Sequence, residues 1–517
     1  MSDVDLDDYS IQGQASYIQH ADIIESQPFL RPNFGVESEE DGLNTGSNGK
    51  LGQVRAYVPL NKGTKTMYAI DYGDNGDATY RIGFFAKTTF AATQWTDTAN
   101  GTDADATPEP DVGGAVIADD DTILFADSNG GSGLSVGKVV ISTTTVTIGH
   151  DILTTSAWGG SGSGNIKAWL NHTDGETYVL AHNLGGANQS FLGVYDTSSK
   201  FSGLTPASFP VNYEGVDMIS YGNKILAVAN SSRGDTSKLF IRDPYQTLVY
   251  TFDDIYDIKI HRVQAIRIVK GRVIIISADY DYKIWEWTGG DNVNLLKVLN
   301  VGAYNSLFKI NNSAVDVKDG ILYFGTACGV STFNNGVYAF GFNDDGSTFL
   351  YNVMTDDEND ASNVEYRALR WYDDGTSVGM FVTSKDVTNG TYNNMEYVIG
   401  ASRSANLIWD SVWMRPFPGL KSQIIKASLY HEDGGSGSTI TLASKVDDDD
   451  NSFTTRFVAD TNGVYKTVVG VNNFAHEGSP TISNAFPAGQ KHKLRITMTS
   501  GAQLEKIKLR VRTKEIE

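Results

Sequence analysis

The stretch VQAIRIVKGRVIIISADYDYKIWEWTG, residues 263–289, decides the fold of this chain. It contains an apolar run, a tight turn at Lys270-Gly271, a stronger apolar run over residues 273–276, and an alternating segment over residues 283–287. Continuous β-branched residues are typical of a strand covered on both faces, whereas alternation is typical of a strand with one exposed face. The stretch therefore predicts successive strands of one sheet, joined by tight hairpins.

The same unit recurs from about residue 51 to residue 409. Its turns lie at Lys62-Gly63, Asp120-Asp121, Asp174-Gly175, Gly222-Asn223, Lys270-Gly271, Asp319-Gly320 and Asp374-Gly375. The buried runs that follow the turns are residues 67–70, 123–126, 178–181, 225–229, 273–276, 321–324 and 378–382. A spacing of roughly 50 residues is the period of a four-stranded propeller blade. The pattern predicts an all-β protein with a six- or seven-bladed β-propeller over residues 51–413. Seven turns favour seven blades, but the first unit is long, so six blades are the alternative.

The two ends of the chain differ from this repeat. A Pro-rich joint at residues 414–419 is followed by predicted strands at residues 424–430, 438–444, 453–458, 464–469, 492–498 and 504–512. These strands predict a β-sandwich over residues 420–517. Residues 1–50 are acidic and weakly periodic, which predicts an extended N-terminal arm that straps onto the body or onto a neighbour. Within this arm, residues 29–34 are expected to be able to add a strand.

The charge of the chain restricts its partners. The formal net charge is −21 over 517 residues, which argues against a general nucleic-acid binder, because such a protein needs a basic face to neutralise phosphates. An acidic wall does suit a channel through which DNA passes without specific binding. The start of the chain lacks the basic and apolar pattern of a signal peptide, and no apolar run has the length of a membrane span. We expect a protein that is made and kept in a cytoplasm, or that leaves it without the ordinary secretion route, and that has no membrane partner.

The residue types that carry catalysis are scattered. The eight His residues form no metal-binding pair, and the single Cys328 follows an apolar run that predicts a buried thiol. Asp356, Glu358 and Asp360, like the run at residues 447–450, begin as calcium loops do but lack the later ligands. Solvated hairpin charge is the favoured interpretation for both runs. The sequence therefore predicts no cofactor, no metal and no enzyme activity.

One motif favours an alternative function. Residues 344–349, Asp-Asp-Gly-Ser-Thr-Phe, resemble the Asp-box hairpin of sialidase-type propellers, although Phe342 and Phe349 replace the usual Ser and Trp. The aromatic residues Trp285, Trp287 and Trp371 have the pattern of exposed rings that a sugar could stack on, although blade packing is the favoured interpretation. The alternative is therefore a carbohydrate-binding or sialidase-like glycoside-acting propeller.

The last strands carry a concentration of cations. On the final predicted strand, Lys and Arg alternate with Ile507, Leu509 and Val511, so that all cations lie on one side. The preceding strand repeats the pattern. The sequence predicts one basic face that docks a partner, made of Lys491, Lys493, Arg495, Lys506, Lys508, Arg510, Arg512 and Lys514. The alternative is protection of an edge strand, for which Lys is commonly used.

The order of these parts resembles that of a known family. An acidic arm with Gly42-Leu43-Asn44-Thr45, a propeller without a signature motif, and a small sandwich that includes residues 493–497 and 504–509 resemble the tail proteins of tailed bacteriophages. The types that are most similar are the nozzle and packaged-DNA-stabilising proteins of short-tailed phages. The resemblance implies a structural virion protein of the tail or neck, assembled in the host cytoplasm. It also implies a homo-oligomer, for example a hexameric ring, that contacts other tail and portal proteins. It carries over no functional residues.

Overall fold

The computed structural model describes part of the chain at residue level. The described residues are 3–6, 15–19, 21–22, 31–32, 36–38, 54–62, 65–74, 80–87, 96–102, 114–119, 122–129, 133–141, 146–149, 164–183, 189–195, 207–244, 252–301, 309–329, 333, 335–343, 346–355, 363–373, 378–388, 390, 392–398, 407–411, 413–416, 419–432, 435–447, 452–470, 474–478, 480–499 and 502–513. They form β-strands almost throughout, with a 3-10 helix at Asn312–Ala314. Within these ranges, no helix has the length and apolar character of a membrane span.

Five short strands lie in the N-terminal region. They are β1 (Asp3–Leu6), β2 (Ala15–Gln19), β3 (Ala21–Asp22), β4 (Arg31–Pro32) and β5 (Val36–Ser38). Strands β3 and β4 pair with each other, and β4 covers the two described residues of the segment predicted to add a strand. Strands β1, β2 and β5 each join a sheet that is built by later parts of the chain.

The next twenty strands form five antiparallel sheets of four consecutive strands. In chain order they are β6 (Val54–Lys62), β7 (Lys65–Asp74), β8 (Tyr80–Lys87), β9 (Thr96–Thr102), β10 (Ala115–Asp119), β11 (Thr122–Asn129), β12 (Gly133–Ile141), β13 (Val146–Gly149), β14 (Gly164–Asn171), β15 (Thr177–Asn183), β16 (Gln189–Tyr195), β17 (Ala207–Ser208), β18 (Tyr213–Tyr221), β19 (Lys224–Ser231), β20 (Ser237–Arg242), β21 (Asp254–Asp257), β22 (Val263–Val269), β23 (Arg272–Ala278), β24 (Tyr282–Gly289) and β25 (Asn292–Leu299).

Seven further strands complete the repeat region. They are β26 (Val315–Lys318), β27 (Ile321–Gly325), β28 (Val337–Phe342), β29 (Thr348–Met354), β30 (Val364–Asp373), β31 (Val378–Asp386) and β32 (Tyr392–Val398). Strands β26 and β27 pair antiparallel. Strands β30, β31 and β32 form a four-stranded sheet whose fourth strand is β5, from the N-terminal region.

The chain divides into two compact units. The larger unit comprises Glu37–Val337 and Thr355–Tyr397. Within it, β6, β10, β14, β18, β22, β26 and β30 are called the first strands, because each opens its sheet. Each first strand contacts the next in chain order, and β30 contacts β6. Antiparallel sheets arranged around such a closed cycle of first strands form a β-propeller.

Apolar residues between neighbouring sheets form the core of this unit. One cluster joins Leu226, Val228 and Leu239 of one sheet to Ile266 and Ile275 of the next. The runs that were predicted as buried strands lie in β7, β11, β15, β19, β23, β27 and β31. These seven strands are the second strands of their sheets. The strands that surround the centre of the propeller are the first strands, which precede each turn.

The smaller unit comprises Met1–Val36, Tyr338–Met354 and Val398–Glu517. Its remaining strands are β33 (Leu407–Ser411), β34 (Ser422–His431), β35 (Thr439–Val446), β36 (Thr454–Asp460), β37 (Lys466–Val469), β38 (Ala475–Glu477), β39 (Thr481–Ile482), β40 (Ala488–Gly489), β41 (His492–Met498) and β42 (Leu504–Thr513). The six strands predicted here correspond to β34, β35, β36, β37, β41 and β42. Strand β33 pairs with β41, although the sequence assigned residues 407–411 to the propeller.

Two sheets make up this smaller unit. One has the strand order β1-β42-β34-β37-β38, with β40 paired to β34. In the other, the part within this unit has the order β28-β29-β2-β33-β41-β35-β36-β39. Strand β1 is antiparallel to β42, and β2 lies between β29 and β33. The first strands of the arm therefore take part in both sheets.

Candidate functional site

Five of the first strands carry a β-bulge near their beginnings. A bulge inserts one extra residue into the strand and redirects its side chain, and bulges are common next to functional sites. Because the first strands surround the centre of the propeller, the bulges lie at one end of its central channel. The extra residues are Arg55, Lys167, Val216, Gln264 and Arg367.

Two cavities lie along this channel. The first, of about 280 Å³, opens at the bulged end. Its polar lining includes Lys167, Glu214, Asn230, Gln264, Lys309 and Asn311. The second, of about 140 Å³, touches every first strand, through Ala56, Ala115, Ala168, Asp217, Arg267, Val315 and Leu369. The channel is therefore occupied by side chains for part of its length and keeps a polar recess at one end.

The ion pair at the rim of the recess joins two first strands. Lys167 Nζ of β14 lies 2.7 Å from Glu214 Oε1 of β18. Burial alone would raise the pKa of Glu214, but the Lys167 ammonium holds that pKa below its ordinary value. Glu214 therefore stays ionised at neutral pH and has no proton to donate to a substrate.

A second carboxylate joins β18 to β22. Asp217 is 2% exposed, and its Oδ2 accepts a hydrogen bond of 2.9 Å from the backbone N–H of Ile266 and one from Arg267 Nη1. Arg267 Nη2 also donates to the carbonyl oxygens of Asn312 (3.2 Å) and Val315 (3.3 Å). Burial raises the pKa of Asp217, while Arg267 and the backbone amides oppose that rise. Asp217 and Arg267 together link three consecutive segments of the ring.

A third carboxylate repeats this arrangement between β26 and β30. The backbone N–H of Trp371 donates to Asp316 Oδ2 at 2.9 Å, and Arg370 Nη1 lies 3.4 Å from Asp316 Oδ1. In both cases an Asp on one first strand accepts an N–H from the next first strand in the ring. Charge-assisted bonds of this kind are stronger than neutral ones. They hold neighbouring first strands together.

The fourth carboxylate, Glu365, lies in a dense network. It is 3% exposed, and its oxygens lie 2.8 Å from both Lys309 Nζ and Arg367 Nη2. Asn311 Nδ2 donates to Glu365 Oε1 at 3.0 Å. Two cations and one amide therefore hold a single buried carboxylate beside the recess.

A His-Ser pair lies next to this end of the channel. His182 Nδ1 is 2.8 Å from Ser190 Oγ, and the N–H of Gly215 donates to the same Oγ at 2.7 Å. His182 is 2% exposed and Ser190 is fully buried, so a substrate has no access to the hydroxyl in this conformation. The arrangement connects β15 and β16 to β18. Among the described residues, no group of three or more His, Cys, Asp or Glu could hold a metal ion.

The cations predicted on the final strand have the expected alternation. Ile507, Leu509 and Val511 of β42 are buried. Between them lie Lys506, Lys508, Arg510 and Arg512, each partly or fully exposed. Lys514 is outside the described residues. Strand β42 is not an edge, because β1 pairs with one side of it and β34 with the other.

The expectation that both basic strands share one face is wrong. Strand β41, which carries Lys493 and Arg495, belongs to the sheet with β33 and β35, whereas β42 belongs to the other sheet. Arg495 forms a bidentate pair with Asp410, at 2.7 and 2.8 Å, and Lys493 Nζ lies 4.0 Å from the same carboxylate. Lys491 Nζ lies 5.8 Å from the ring centre of Trp413. Alternation within a strand was visible in the sequence, but the assignment of strands to sheets was not.

We expect the buried His492 of β41 to make stability depend on pH. Its Nε2 lies 3.0 Å from Ser422 Oγ, and burial lowers the pKa of His492 below its ordinary value. A lowered pKa means that the full stability is present above the unfolded-state pKa of about 6.5. Stability is then lost as the pH falls toward the folded-state pKa.

Urea denaturation at a series of pH values checks this expectation. The free energy of unfolding should fall between pH 7 and mildly acidic pH in the wild type, and it should fall less in a His492→Gln variant. His261→Gln is the control, because the His261 side chain is 59% exposed. If His492→Gln and the wild type lose the same stability over this window, burial of the imidazole is not the cause.

The aromatic residues of the alternative function are engaged in packing. Trp371 is 7% exposed, which agrees with blade packing, the favoured interpretation of its ring. Trp285 Nε1 donates to Ser277 Oγ at 3.0 Å, and Trp287 Nε1 donates to the Gly290 carbonyl oxygen at 2.7 Å. Both rings are partly buried in the core between sheets. They do not form an open platform for a sugar.

The motif that resembles an Asp-box lies in the hairpin between β28 and β29. Asp344 and Asp345 are outside the described residues, as are the candidate calcium ligands at residues 356–360 and 448–450. In the described part, Gly346 has a φ of +82° and Asn343 N–H donates to the Ser347 carbonyl oxygen at 2.8 Å. The hairpin position agrees with the sequence, and its contacts are those of a tight turn.

No protein-family model and no curated protein matches this chain. Among solved structures, the chain is similar to the Dos1 propeller, with 13% identity, a TM-score of 0.41, and coverage of 75% of this chain and 93% of that one. It is similar to a putative 6-phosphogluconolactonase from Bacteroides uniformis, with 12% identity, a TM-score of 0.42, and coverage of 64% and 95%. It is also similar to Trypanosoma rangeli sialidase in complex with sialic acid, with 9% identity, a TM-score of 0.33, and coverage of 100% and 96%. Similarities at this level assign no activity to the chain.

Proposed function

We propose that this chain is a non-catalytic structural protein of a tailed-phage tail or neck. In this proposal a seven-bladed propeller and a C-terminal β-sandwich form part of a nozzle-like channel and a docking platform for other tail and portal proteins. The assignment to a phage rests on the order of arm, propeller and sandwich in the sequence. The structural role rests on the contacts of the channel.

The blade number is supported by the first strands. Seven first strands follow one another in a closed cycle of contacts, and one cavity touches all of them. The sandwich is supported by the alternation of its strands. In β41, Leu494, Ile496 and Met498 are buried while the residues between them are partly exposed, and β42 alternates in the same way. Two sheets that each bury one face are the pattern of a sandwich.

The main observation behind the structural role is that the channel carboxylates bond neighbouring first strands to each other. Asp217 and Asp316 accept backbone N–H groups from the next first strand, and Glu214 pairs with a Lys of the preceding one. Each carboxylate thereby fixes the spacing of two blades. Polar networks whose members are satisfied rigidify a fold. A rigid ring suits a spacer and docking platform.

A glycoside-acting enzyme needs a different arrangement. Most glycoside hydrolases, apart from the sialidases with their Tyr nucleophile, use two carboxylates about 5–10 Å apart, one of them protonated at working pH, on either side of an accessible substrate. Here Glu214 and Glu365 are held by cations, and the His182–Ser190 pair is buried. These contacts favour the structural role over the carbohydrate-acting alternative.

We expect purified protein to show no hydrolysis of sialosides or aryl glycosides above the uncatalysed rate. The test measures release of a chromogenic aglycone from a panel of such substrates. Glu214→Gln is the informative variant, because Glu214 lines the recess. Turnover by the wild type that is lost in Glu214→Gln would overturn the non-enzymatic proposal.

The structural role predicts self-association. Light scattering should give a mass of at least twice the 56.1 kDa of one chain. Negative-stain images should show rings. A monomer at every concentration and salt condition would contradict this role.

A further inference from the structure

Strand β1 extends the sheet of the smaller unit at β42. Its register places Asp3 opposite Arg512 and Asp5 opposite Arg510. On the other side of β42, Arg510 lies opposite Lys426. Like charges directly opposite on neighbouring strands destabilise a sheet, and opposite charges stabilise it. An acidic strand therefore fits this side of β42 better than a neutral or basic one.

We propose that β42 is a docking edge for the β1 strand of a second copy of this chain. The proposal rests on the structural role above, because it names the contact through which copies associate. Copies that each carry a net charge of −21 repel one another. A local surface of opposite sign offsets this repulsion and favours association. The cations of β42, Lys506, Lys508, Arg510 and Arg512, form such a surface, and β1 carries the matching acids.

The geometry of the arm permits this exchange. Strand β1 has four residues and, within the described part of the chain, pairs with β42 on one side. Eight residues separate Leu6 from Ala15, and such a segment spans at most roughly 30 Å when extended. The same strand register, with Asp3 opposite Arg512 and Asp5 opposite Arg510, forms whether β1 comes from its own chain or from a neighbour. Exchange of an identical element between copies is therefore a low-cost route to an oligomer.

The strand pair also accounts for the cations of β42. Without β1, β42 becomes an edge strand with a row of Lys and Arg, which hinders unspecific pairing. With β1 in place, Asp3 and Asp5 stand opposite Arg512 and Arg510, and the edge is covered. The sequence allowed two interpretations of the basic strand, edge protection and docking of a partner. Edge protection thus describes β42 before docking of β1, and the docking surface describes it afterwards.

Single-cysteine chains test the donor of β1. In a Cys328→Ser background, one chain carries Asp5→Cys and a second, differently tagged chain carries Arg510→Cys. The two positions are register partners, so oxidation of the co-expressed chains should give a disulfide-linked heterodimer on a non-reducing gel. The matched control replaces Arg510→Cys with Lys506→Cys, which lies four residues, or roughly 13 Å, along the strand. The control pair should give at least tenfold less heterodimer.

The outcomes separate this inference from the structural role. Strand exchange is overturned by two results together. The chain with both Asp5→Cys and Arg510→Cys forms an intramolecular disulfide, and the single-cysteine pair gives no heterodimer. If light scattering still shows oligomers in that case, the structural role stands with a different contact.

Reversal of charge is the second measurement. In the donor that carries Asp5→Cys, Asp3→Arg should lower the heterodimer yield at low salt. Arg512→Asp in the acceptor that carries Arg510→Cys should restore the yield, because residues 3 and 512 are register partners.

Discussion

Replacement of Asp217 by Asn should destabilise the propeller by about 3 kcal/mol, because the change removes the buried carboxylate that neutralises Arg267, whose side chain is 20% exposed. Asp217 is 2% exposed and binds both Arg267 and the Ile266 N–H. Asn keeps the shape of the side chain but not its charge. Urea denaturation followed by tryptophan fluorescence measures the loss. Asp319→Asn is the matched control, since the Asp319 side chain is 78% exposed and Asn tolerates its φ of +53°.

The pH dependence of the partner variant distinguishes an ion pair from a simple packing contact. Arg267→Met leaves the Asp217 carboxyl buried without its cation, which raises the folded-state pKa of Asp217 above its unfolded-state value. When the folded-state pKa of Asp217 is raised, protonation of this carboxyl stabilises the folded variant at low pH, and that stabilisation is lost as the pH rises. The deficit of Arg267→Met should therefore shrink on acidification, while that of Asp217→Asn should not. Equal pH profiles for both variants would contradict the ion-pair interpretation.

Phe209→Ala should cost the propeller about 3–5 kcal/mol, since it removes a large ring from a closed core. Phe209 is fully buried. Its ring centre lies 4.6 Å from that of Phe240 and 4.7 Å from that of Phe252. These three rings belong to the cluster between the β14–β17 and β18–β21 sheets. Because the rings pack on each other, the neighbours cannot fill the space fully.

The same substitution at an exposed ring provides the control for Phe209. Phe474 is 68% exposed, so Phe474→Ala should change the free energy of unfolding by less than about 0.5 kcal/mol. Denaturation midpoints of both variants, measured under one condition, give the comparison. A loss at Phe209 as small as that at Phe474 would show that the cluster is not a tightly packed core.

Local features of the fold could be predicted from the sequence. The turn at Lys270-Gly271 and the run after it became β23, because a two-residue turn and a β-branched run each have local causes. Left-handed φ values at Lys270 (+47°) and Gly271 (+78°) fit that turn. The alternation of β42 was equally visible, since burial of every second residue is a property of one strand.

Features that depend on distant partners could not be predicted. Nothing near Asp217 in the sequence indicates that it accepts a hydrogen bond from Ile266, which lies 49 residues away. The bulged residues such as Arg55 and Lys167 look like ordinary members of alternating strands, because a bulge is defined against the neighbouring strand. For the same reason, the sequence placed β41 and β42 on one face.

The pairing of β5 with β32 and of β1 with β42 has a consequence for synthesis of the chain. Ribosomes produce roughly 5–20 residues per second and release the N-terminal end first. Strands β1 and β5 therefore emerge tens of seconds before their partners near the other end of the 517-residue chain. During that interval the nascent polypeptide carries sheet-forming segments whose final neighbours have not been translated. The last sheet of the propeller thus has to close after translation of β32, and many ribosomes on one message place these waiting segments side by side.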